Sequence, residues 1–154
     1  MTLARDAVAW IFQESPKIFD GKASALDQPL GRMRWLVTNS RDHILPGQPA
    51  LIWRSGSKGG FVALGLIEAK PESDVVAEDD LVHWTEAKVG ELSTTARWWV
   101  EVNIRKRLNP AKYNRERLRG HLVLRDQRPI CPVHVGSNFP VNRECLTALR
   151  TLLK

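Results

Sequence analysis

Two tryptophans stand where a short apolar segment meets small polar residues, a setting that suits recognition of a planar ligand. Trp35 precedes a Thr-Asn-Ser run at 38–40, and Trp53 precedes an Arg-Ser-Gly turn at 54–56. An aromatic ring so placed can stack on a base while hydroxyl, amide and backbone groups bond to the edge of that base. Core packing explains each tryptophan slightly better when it is taken alone. Both interpretations therefore stay open at this point.

The positive charge of the chain is concentrated in one segment. The sequence has 23 Lys and Arg against 17 Asp and Glu, a net charge of +6. Residues 97–128 hold ten basic and three acidic residues, a net charge of +7, whereas the other 122 residues carry −1. This local excess favours a surface that binds a polyanion, although a solvated Arg-rich helix and loop would give the same count. The residues that we expect to contact phosphate are Arg105, Arg107, Lys112, Arg115, Arg117 and Arg119.

The motifs of common enzyme sites are missing from the sequence. Neither the Gly-Lys-Ala-Ser run at 21–24 nor the glycine-rich loop at 56–60 fits the phosphate-binding loop, and no G-x-S-x-G motif occurs. The four histidines are far apart, and the C-x-x-H pair of Cys131 and His134 has no second pair. We therefore expect no catalytic residues, no metal and no cofactor.

Length and composition predict one soluble domain. A chain of 154 residues with 43% hydrophobic and 26% charged residues is typical of a globular protein, and we assign residues 1–154 to one domain. No stretch of 18 apolar residues could span a membrane, and the first ten residues include Arg5 and Asp6, unlike a signal peptide. We expect a cytoplasmic protein that does not bind membranes.

Hydrophobic patterning predicts several short strands and few helices. The clearest strand covers 97–105, where Trp98, Val100, Val102 and Ile104 alternate with more polar positions. The other predicted strands cover 7–13, 34–38, 50–54 and 61–69, and the helical segments cover 24–27, 111–119 and 142–153. Closely spaced strands without long intervening helices favour an α+β fold, a small mixed and mostly antiparallel barrel flanked by short helices.

An acidic segment interrupts this pattern. Residues 70–91 contain seven acidic residues against Lys70 and Lys88, and we expect a surface excursion at about 70–95 without a core of its own. Just after it, Trp98 is expected in the core. Trp99 is expected either partly exposed or as a plug beneath the acidic segment.

Three motifs in order resemble the EVE domain, a PUA-like fold related to the YTH readers of methylated RNA. They lie in AWIFQESPKIFD at 9–20, in MRWLVTNSRDHILPGQPALIWRSGSKGGFVALGLIEA at 33–69 and in VGSNFPVNRECLTALRTLL at 135–153. The resemblance implies a PUA-like barrel with a pocket for a modified base swung out of a nucleic acid. It also implies a pocket lined by Gln13, Ser15, Trp35, Trp53, Ser55, Asn138 and Phe139.

The resulting hypothesis is a non-catalytic module that reads a modified cytosine or adenine, with DNA as the expected partner. The resemblance implies that such a module can be joined to a nuclease or ATPase module in the restriction of modified foreign DNA. Two alternatives remain: an RNA-binding module for modified tRNA or rRNA, and a sensor of a free nucleoside or another small molecule.

Overall fold

The computed structural model describes residues 2–14, 30–76, 86–131 and 137–154. Within these ranges seven strands are present: β1 Ala9–Glu14, β2 Gly31–Val37, β3 Pro49–Arg54, β4 Gly60–Ile67, β5 Glu72–Asp74, β6 Arg97–Arg107 and β7 Asn138–Val141. The helices are α1 Glu86–Leu92, α2 Arg115–Arg119 and α3 Arg143–Leu152, with short 3₁₀ turns at Ala4–Asp6 and Arg41–His43.

The strands form one curled mixed sheet with short helices, the α+β arrangement that the strand spacing predicts. The strand order is β2-β6-β4-β3-β1-β7, and β5 pairs with the first residues of β6. Among the described strands, β1 and β3 are parallel and the other neighbours are antiparallel. Since β4 is antiparallel to both β3 and β6, the strands β1, β3 and β6 run in one direction. Their carboxyl ends therefore lie at the same end of the sheet.

The sheet separates two hydrophobic clusters, because side chains alternate between its faces. Ala9 and Ile11 belong to the helix cluster, together with residues of β3, β7, α2 and α3. Trp10 and Phe12 belong to the strand cluster, together with residues of β2, β3, β4 and β6 and with Ile44. All four β1 residues are fully buried. Strand β1 is thus apolar at consecutive positions because both of its faces are covered.

The closing helix begins where its cap is. The Asn142 side chain accepts a hydrogen bond from the backbone N–H of Cys145 at 2.8 Å, so that helix α3 starts at Arg143. Its apolar face buries Cys145, Leu146 and Leu149 against the helix cluster. The predicted helix over 142–153 is confirmed to within one residue at each end.

The helix predicted over 111–119 is shorter in the structure. Residues 110–113 form turns, and α2 begins only after Asn114, whose side chain accepts from the backbone N–H of Arg117 at 3.0 Å. The carbonyl of Tyr113 accepts from the backbone N–H of Phe61 at 3.1 Å. Because this carbonyl bonds to β4, residue 113 is held beside the sheet, and the helix begins only at Arg115.

The acidic segment is not the coreless excursion that its charge suggests. Strand β5 pairs with β6 at its acidic positions, and Val76 and Leu92 form a third, small cluster with Trp99. Trp99 is only 4% exposed and therefore plugs the underside of this segment, one of its two predicted roles. Trp98 was expected in the core but is half-buried, because it lies at the start of β6 where the strand cluster ends. The helical turn predicted over 24–27 lies outside the described residues.

Candidate nucleic-acid interface

Two polar side chains lie together where β1 and β3 end. Gln13 and Trp53 are register partners in the parallel pair, so their side chains emerge from the same sheet face. Gln13 Oε1 and Trp53 Nε1 are both inaccessible to solvent, and neither forms a hydrogen bond with any described residue. An acceptor and a donor left unpaired in a protein interior are each unfavourable by about 1–3 kcal/mol. Such a pair is suited to a ligand that presents one donor and one acceptor.

Arg115 connects this strand end to the basic segment. Its guanidinium carbon lies 5.7 Å from the centre of the Trp53 ring, and Nη2 donates to the carbonyl of Pro129 at 3.4 Å. Arg115 Nε is a third buried polar atom without a described partner. The guanidinium is held by an aromatic ring and one carbonyl, which leaves donors available for an anion.

Trp35 and Trp53 lie in different clusters and do not face each other. Trp53 is fully buried in the helix cluster, where its ring meets Phe61 edge to face at 4.9 Å between centroids. Phe139 is buried in the same cluster. Trp35 is 3% exposed in the strand cluster. The stacking role predicted for Trp35 and Trp53 therefore has no exposed ring face to act through in this structure.

Asn138 holds the start of β7 against the segment after β2. Its Oδ1 accepts from the backbone N–H of Thr38 at 3.1 Å, and its Nδ2 donates to the carbonyl of Asn39 at 2.9 Å. The neighbouring Ser137 hydroxyl donates to the carbonyl of Leu36 at 2.9 Å. Asn138 is 1% exposed, so it is a structural link in this conformation. Ser55 lies in the β3–β4 turn, with its backbone N–H bound to the carbonyl of Glu14. Ser15 lies outside the described residues.

A buried ion pair at the same strand ends was not identified from the sequence. Glu14 Oε1 lies 3.4 Å from Arg54 Nε, with the Glu14 side chain 4% exposed and that of Arg54 28% exposed. The sequence contains a signal for this pair, because Glu14 follows Trp10 and Phe12 at two-residue spacing and therefore lies on an apolar face of the strand. A carboxylate on such a face requires a cation, and the parallel pairing with β3 supplies one.

The predicted phosphate-binding residues occupy the same end of the sheet. Arg105 and Arg107 lie on the last residues of β6, Lys112 lies in the turn before α2, and α2 carries the other three. Gly60 forms a bridge with Asn114, which places this turn and helix beside the β3–β4 hairpin. Within the described chain, five of these exposed or half-exposed cations form no ion pair with a carboxylate: Arg105, Lys112, Arg115, Arg117 and Arg119.

Among the described residues, two groups have shifted pKa values, and both lie away from this interface. Burial raises the pKa of the Cys145 thiol, which packs in the helix cluster. Hydrogen bonds from Lys88 and Arg97 lower the pKa of the exposed Glu91 carboxyl. No group of three potential metal ligands is found among the described residues, and none of their helices has the length and apolar character needed to cross a bilayer.

The fold is shared with several solved structures. A protein from Pseudomonas putida superposes with a TM-score of 0.69 at 19% identity, over 95% of this chain and 99% of that one. The DUF55 domain of human thymocyte nuclear protein 1 gives 0.58 at 16% identity, over 95% and 98%. An ASCH protein from Zymomonas mobilis gives 0.58 at 9% identity, over 96% and 99%.

These likenesses extend over the whole length of the compared chains, so they describe the complete fold. No protein-family model matches the sequence, and no curated protein matches it. At identities below 25% the similarity concerns architecture alone, and the shared architecture is a curled mixed sheet with short helices, an α+β fold.

Proposed function

We propose that this chain is a non-catalytic nucleic-acid-binding module of the EVE type that reads a modified base. The interface lies at the sheet end where β1, β3 and β6 finish. The observation that carries the proposal is the coincidence of two features there. One is the group of buried polar atoms on Gln13, Trp53 and Arg115 that have no partner among the described residues. The other is the set of cations that form no ion pair with a described carboxylate.

The charges supply a binding energy that the base alone does not. Removing a base from a duplex costs a few kcal/mol, and aromatic stacking returns about 1–3 kcal/mol where a ring face is open. Since Trp35 and Trp53 are buried, stacking at this site requires the groups that cover them to move. Phosphate contacts from Arg105, Arg117 and Arg119 then supply the remaining affinity.

The unpaired atoms supply selectivity. An acceptor on Gln13 beside a donor on Trp53 matches the donor and acceptor pattern on the edge of a base. A ligand that satisfies both atoms removes two unfavourable interactions of the free protein, whereas a ligand that satisfies neither leaves them in place. Discrimination at such a site follows from hydrogen bonding more than from charge.

The proposal extends to partners and location. DNA is the proposed nucleic acid, and a nuclease or ATPase module in restriction of modified DNA is the proposed associate. Cys131 and Cys145 are unpaired thiols, which agrees with the reducing cytoplasm that we propose as the location.

Fluorescence anisotropy with matched oligonucleotides tests the function. One DNA sequence is prepared unmodified, with methylated cytosine and with methylated adenine, in single and double strands, and an RNA copy is prepared alongside. We expect one modified DNA to bind at least tenfold more tightly than its unmodified counterpart, a difference of about 1.4 kcal/mol. Equal affinity for modified and unmodified strands contradicts base reading.

Competition between the two nucleic acids tests the choice of DNA. Tighter binding of the RNA series overturns that choice and favours the tRNA or rRNA alternative, because RNA alone offers the 2′-hydroxyl. Free nucleosides that bind as tightly as the oligonucleotides favour the small-molecule alternative.

A further inference from the structure

A pocket lies at the start of β6, whereas Arg105 and Arg107 lie near its end. It has a volume of about 410 Å³ and is bounded by the end of β2, the following residues 38–43, Ala4 and Trp98. Trp98 is at the start of β6, and Arg105, the first of the predicted phosphate-binding residues on this strand, lies seven positions later. At about 3.3 Å per residue, more than 20 Å of strand separates the two residues. The other side of the pocket adjoins β7, because Thr38 and Asn39 bond to Ser137 and Asn138.

A stacked guanidinium forms one wall of this pocket. The Arg41 guanidinium carbon lies 4.0 Å from the centre of the Trp98 ring, a close cation–π contact. Among the described residues its one ionic contact is with Asp42, at 3.9 Å from Arg41 Nε, and the Asp42 side chain is 90% exposed. This contact is too long and too solvated to saturate the guanidinium. The plane of the Arg41 guanidinium therefore packs on the indole, and the N–H groups along its edge remain available to an anion.

The backbone around Arg41 is held in place before any ligand arrives. Ser40 has a left-handed backbone with φ 58° and ψ 25°, which is uncommon for a residue other than glycine. The two preceding residues are tied to β7, since Asn138 bonds to the N–H of Thr38 and to the carbonyl of Asn39. A wall fixed on one side by β7 and on the other by the indole is pre-organised for binding.

The remaining walls are partly apolar and partly polar, and the polar part includes the exposed Asp42 and His43. Ala4 and Val37 line the pocket together with the Trp98 ring, so its interior joins a cationic side to a hydrophobic one. A volume of about 410 Å³ lies within the range of small-molecule sites. Hydroxyl and amide groups of Thr38, Asn39 and Ser40 complete the polar side.

We propose that this pocket binds a small organic anion, a phosphoryl or carboxylate group joined to a compact apolar body. Arg41 holds the anionic group with its outward donors, and the apolar body packs against Val37, Ala4 and Trp98. The proposal does not rest on the proposed function, because none of Gln13, Trp53 and Arg115 lines the pocket. It adds a small-molecule site to the molecule.

Amide and indole NMR shifts of the full chain test the proposal. The probes are benzoate and phenyl phosphate, which carry an apolar ring, and acetate and inorganic phosphate, which do not; benzyl alcohol is the uncharged probe. We expect the amides of 39–43 and the Trp98 indole to shift with benzoate or phenyl phosphate at millimolar concentration. The ringless anions should bind more weakly, and comparison of the two ring-bearing anions distinguishes carboxylate from phosphoryl ligands.

Two Arg41 variants and one matched control make the outcome decisive. Arg41→Gln is expected to weaken binding at least tenfold, and Arg41→Lys, which keeps the charge and loses the planar stack, should weaken it less. Arg150→Gln, an exposed arginine on α3 that belongs to neither proposed site, should leave probe binding unchanged. Unchanged binding in Arg41→Gln, equal shifts with benzyl alcohol, or no shift with either ring-bearing anion would overturn the proposal. Because Arg41 is exposed, both Arg41 variants should fold, and circular dichroism checks this.

Discussion

Single side chains at the ends of β1 and β3 carry the strongest indications of recognition. Gln13 Oε1 and Trp53 Nε1 are buried and unpaired, whereas the buried Glu14 of the next position has a charged partner in Arg54. Native proteins satisfy nearly all of their buried polar groups, so an exception needs a reason. A ligand that supplies the missing partners is the reason that we propose. The same logic gives a substitution that separates stability from recognition.

Replacing Gln13 by Met is expected to raise stability and to remove the preference for a modified base. Gln13 Oε1 is a buried acceptor without a described partner, so Gln13→Met removes an unfavourable group and should raise the free energy of unfolding by about 1–3 kcal/mol. Urea unfolding measures the stability and anisotropy measures the preference.

The control is the same substitution at a glutamine that is satisfied. Gln127 is 6% exposed and donates to the carbonyls of Arg128 and Pro140 at 2.7 and 3.1 Å. Gln127→Met should destabilise the protein by about 1–3 kcal/mol, because two buried carbonyls lose their donor. Retention of full modified-base preference in Gln13→Met would show that its carbonyl does not read the base.

At the scale of elements, the acidic segment shows how tertiary contacts redefine a region that composition assigns to the surface. Strand β5 extends the sheet along β6, and α1 brings Leu92 down onto Trp99. Among the described residues of this segment Glu72 and Glu91 are exposed, whereas Val76 and Leu92 are buried in a cluster with Trp99. The stability of this segment depends on these buried residues.

Truncating Leu92 should loosen this segment. Leu92 is fully buried in the small cluster, so Leu92→Ala is expected to lower the free energy of unfolding by about 2–4 kcal/mol. It should also speed hydrogen exchange at the β5 amides. Val75, 48% exposed in the same segment, supplies the control, and Val75→Ala should change stability by less than about 0.5 kcal/mol. Equal changes in the free energy of unfolding for the two substitutions would show that burial in the small cluster does not stabilise this segment.

Over the whole molecule, charge and topology act together. Antiparallel pairing through β4 brings the carboxyl ends of β1, β3 and β6 to one end of the sheet, so that the polar strand ends and the basic residues lie together. The Arg41 pocket lies at the start of β6. Arg105 and Arg107 lie near the other end of this strand, so variants of these two residues should not alter anion binding at Arg41.

The salt dependence of nucleic-acid binding tests this arrangement. Each phosphate neutralised in duplex DNA contributes about 0.9 to the slope of log K against log salt. The double variant Arg117→Gln, Arg119→Gln should reduce that slope by about 1–2 and weaken modified and unmodified DNA alike. Lys70→Gln, an exposed cation beyond the far end of β4, should leave the slope unchanged. An unaltered slope in the double variant would show that Arg117 and Arg119 do not contact phosphate.

The sequence by itself determined most of the strands, the closing helix and the position of the charge. Alternation at two-residue spacing predicted β6, leucines at three- and four-residue spacing predicted α3, and a count of arginines located the basic segment. These features depend on neighbours along the chain, where periodicity and composition are direct physical signals. Strands β5 and β7 and helix α1 were not predicted. The start of α2 was also misplaced, because the carbonyl of Tyr113 bonds to a distant strand.

The tertiary structure alone decided which side chains meet. It placed Trp35 and Trp53 in different clusters and buried Trp99 beneath Val76 and Leu92. It also paired Glu14 with Arg54 across parallel strands. It also stacked Arg41 on Trp98, which is 57 positions away in the sequence. Burial and partnership depend on strand register and sheet order, which no local pattern encodes. The sequence therefore indicated the residue types of the candidate sites, whereas only the tertiary structure showed which of them are accessible and which are paired.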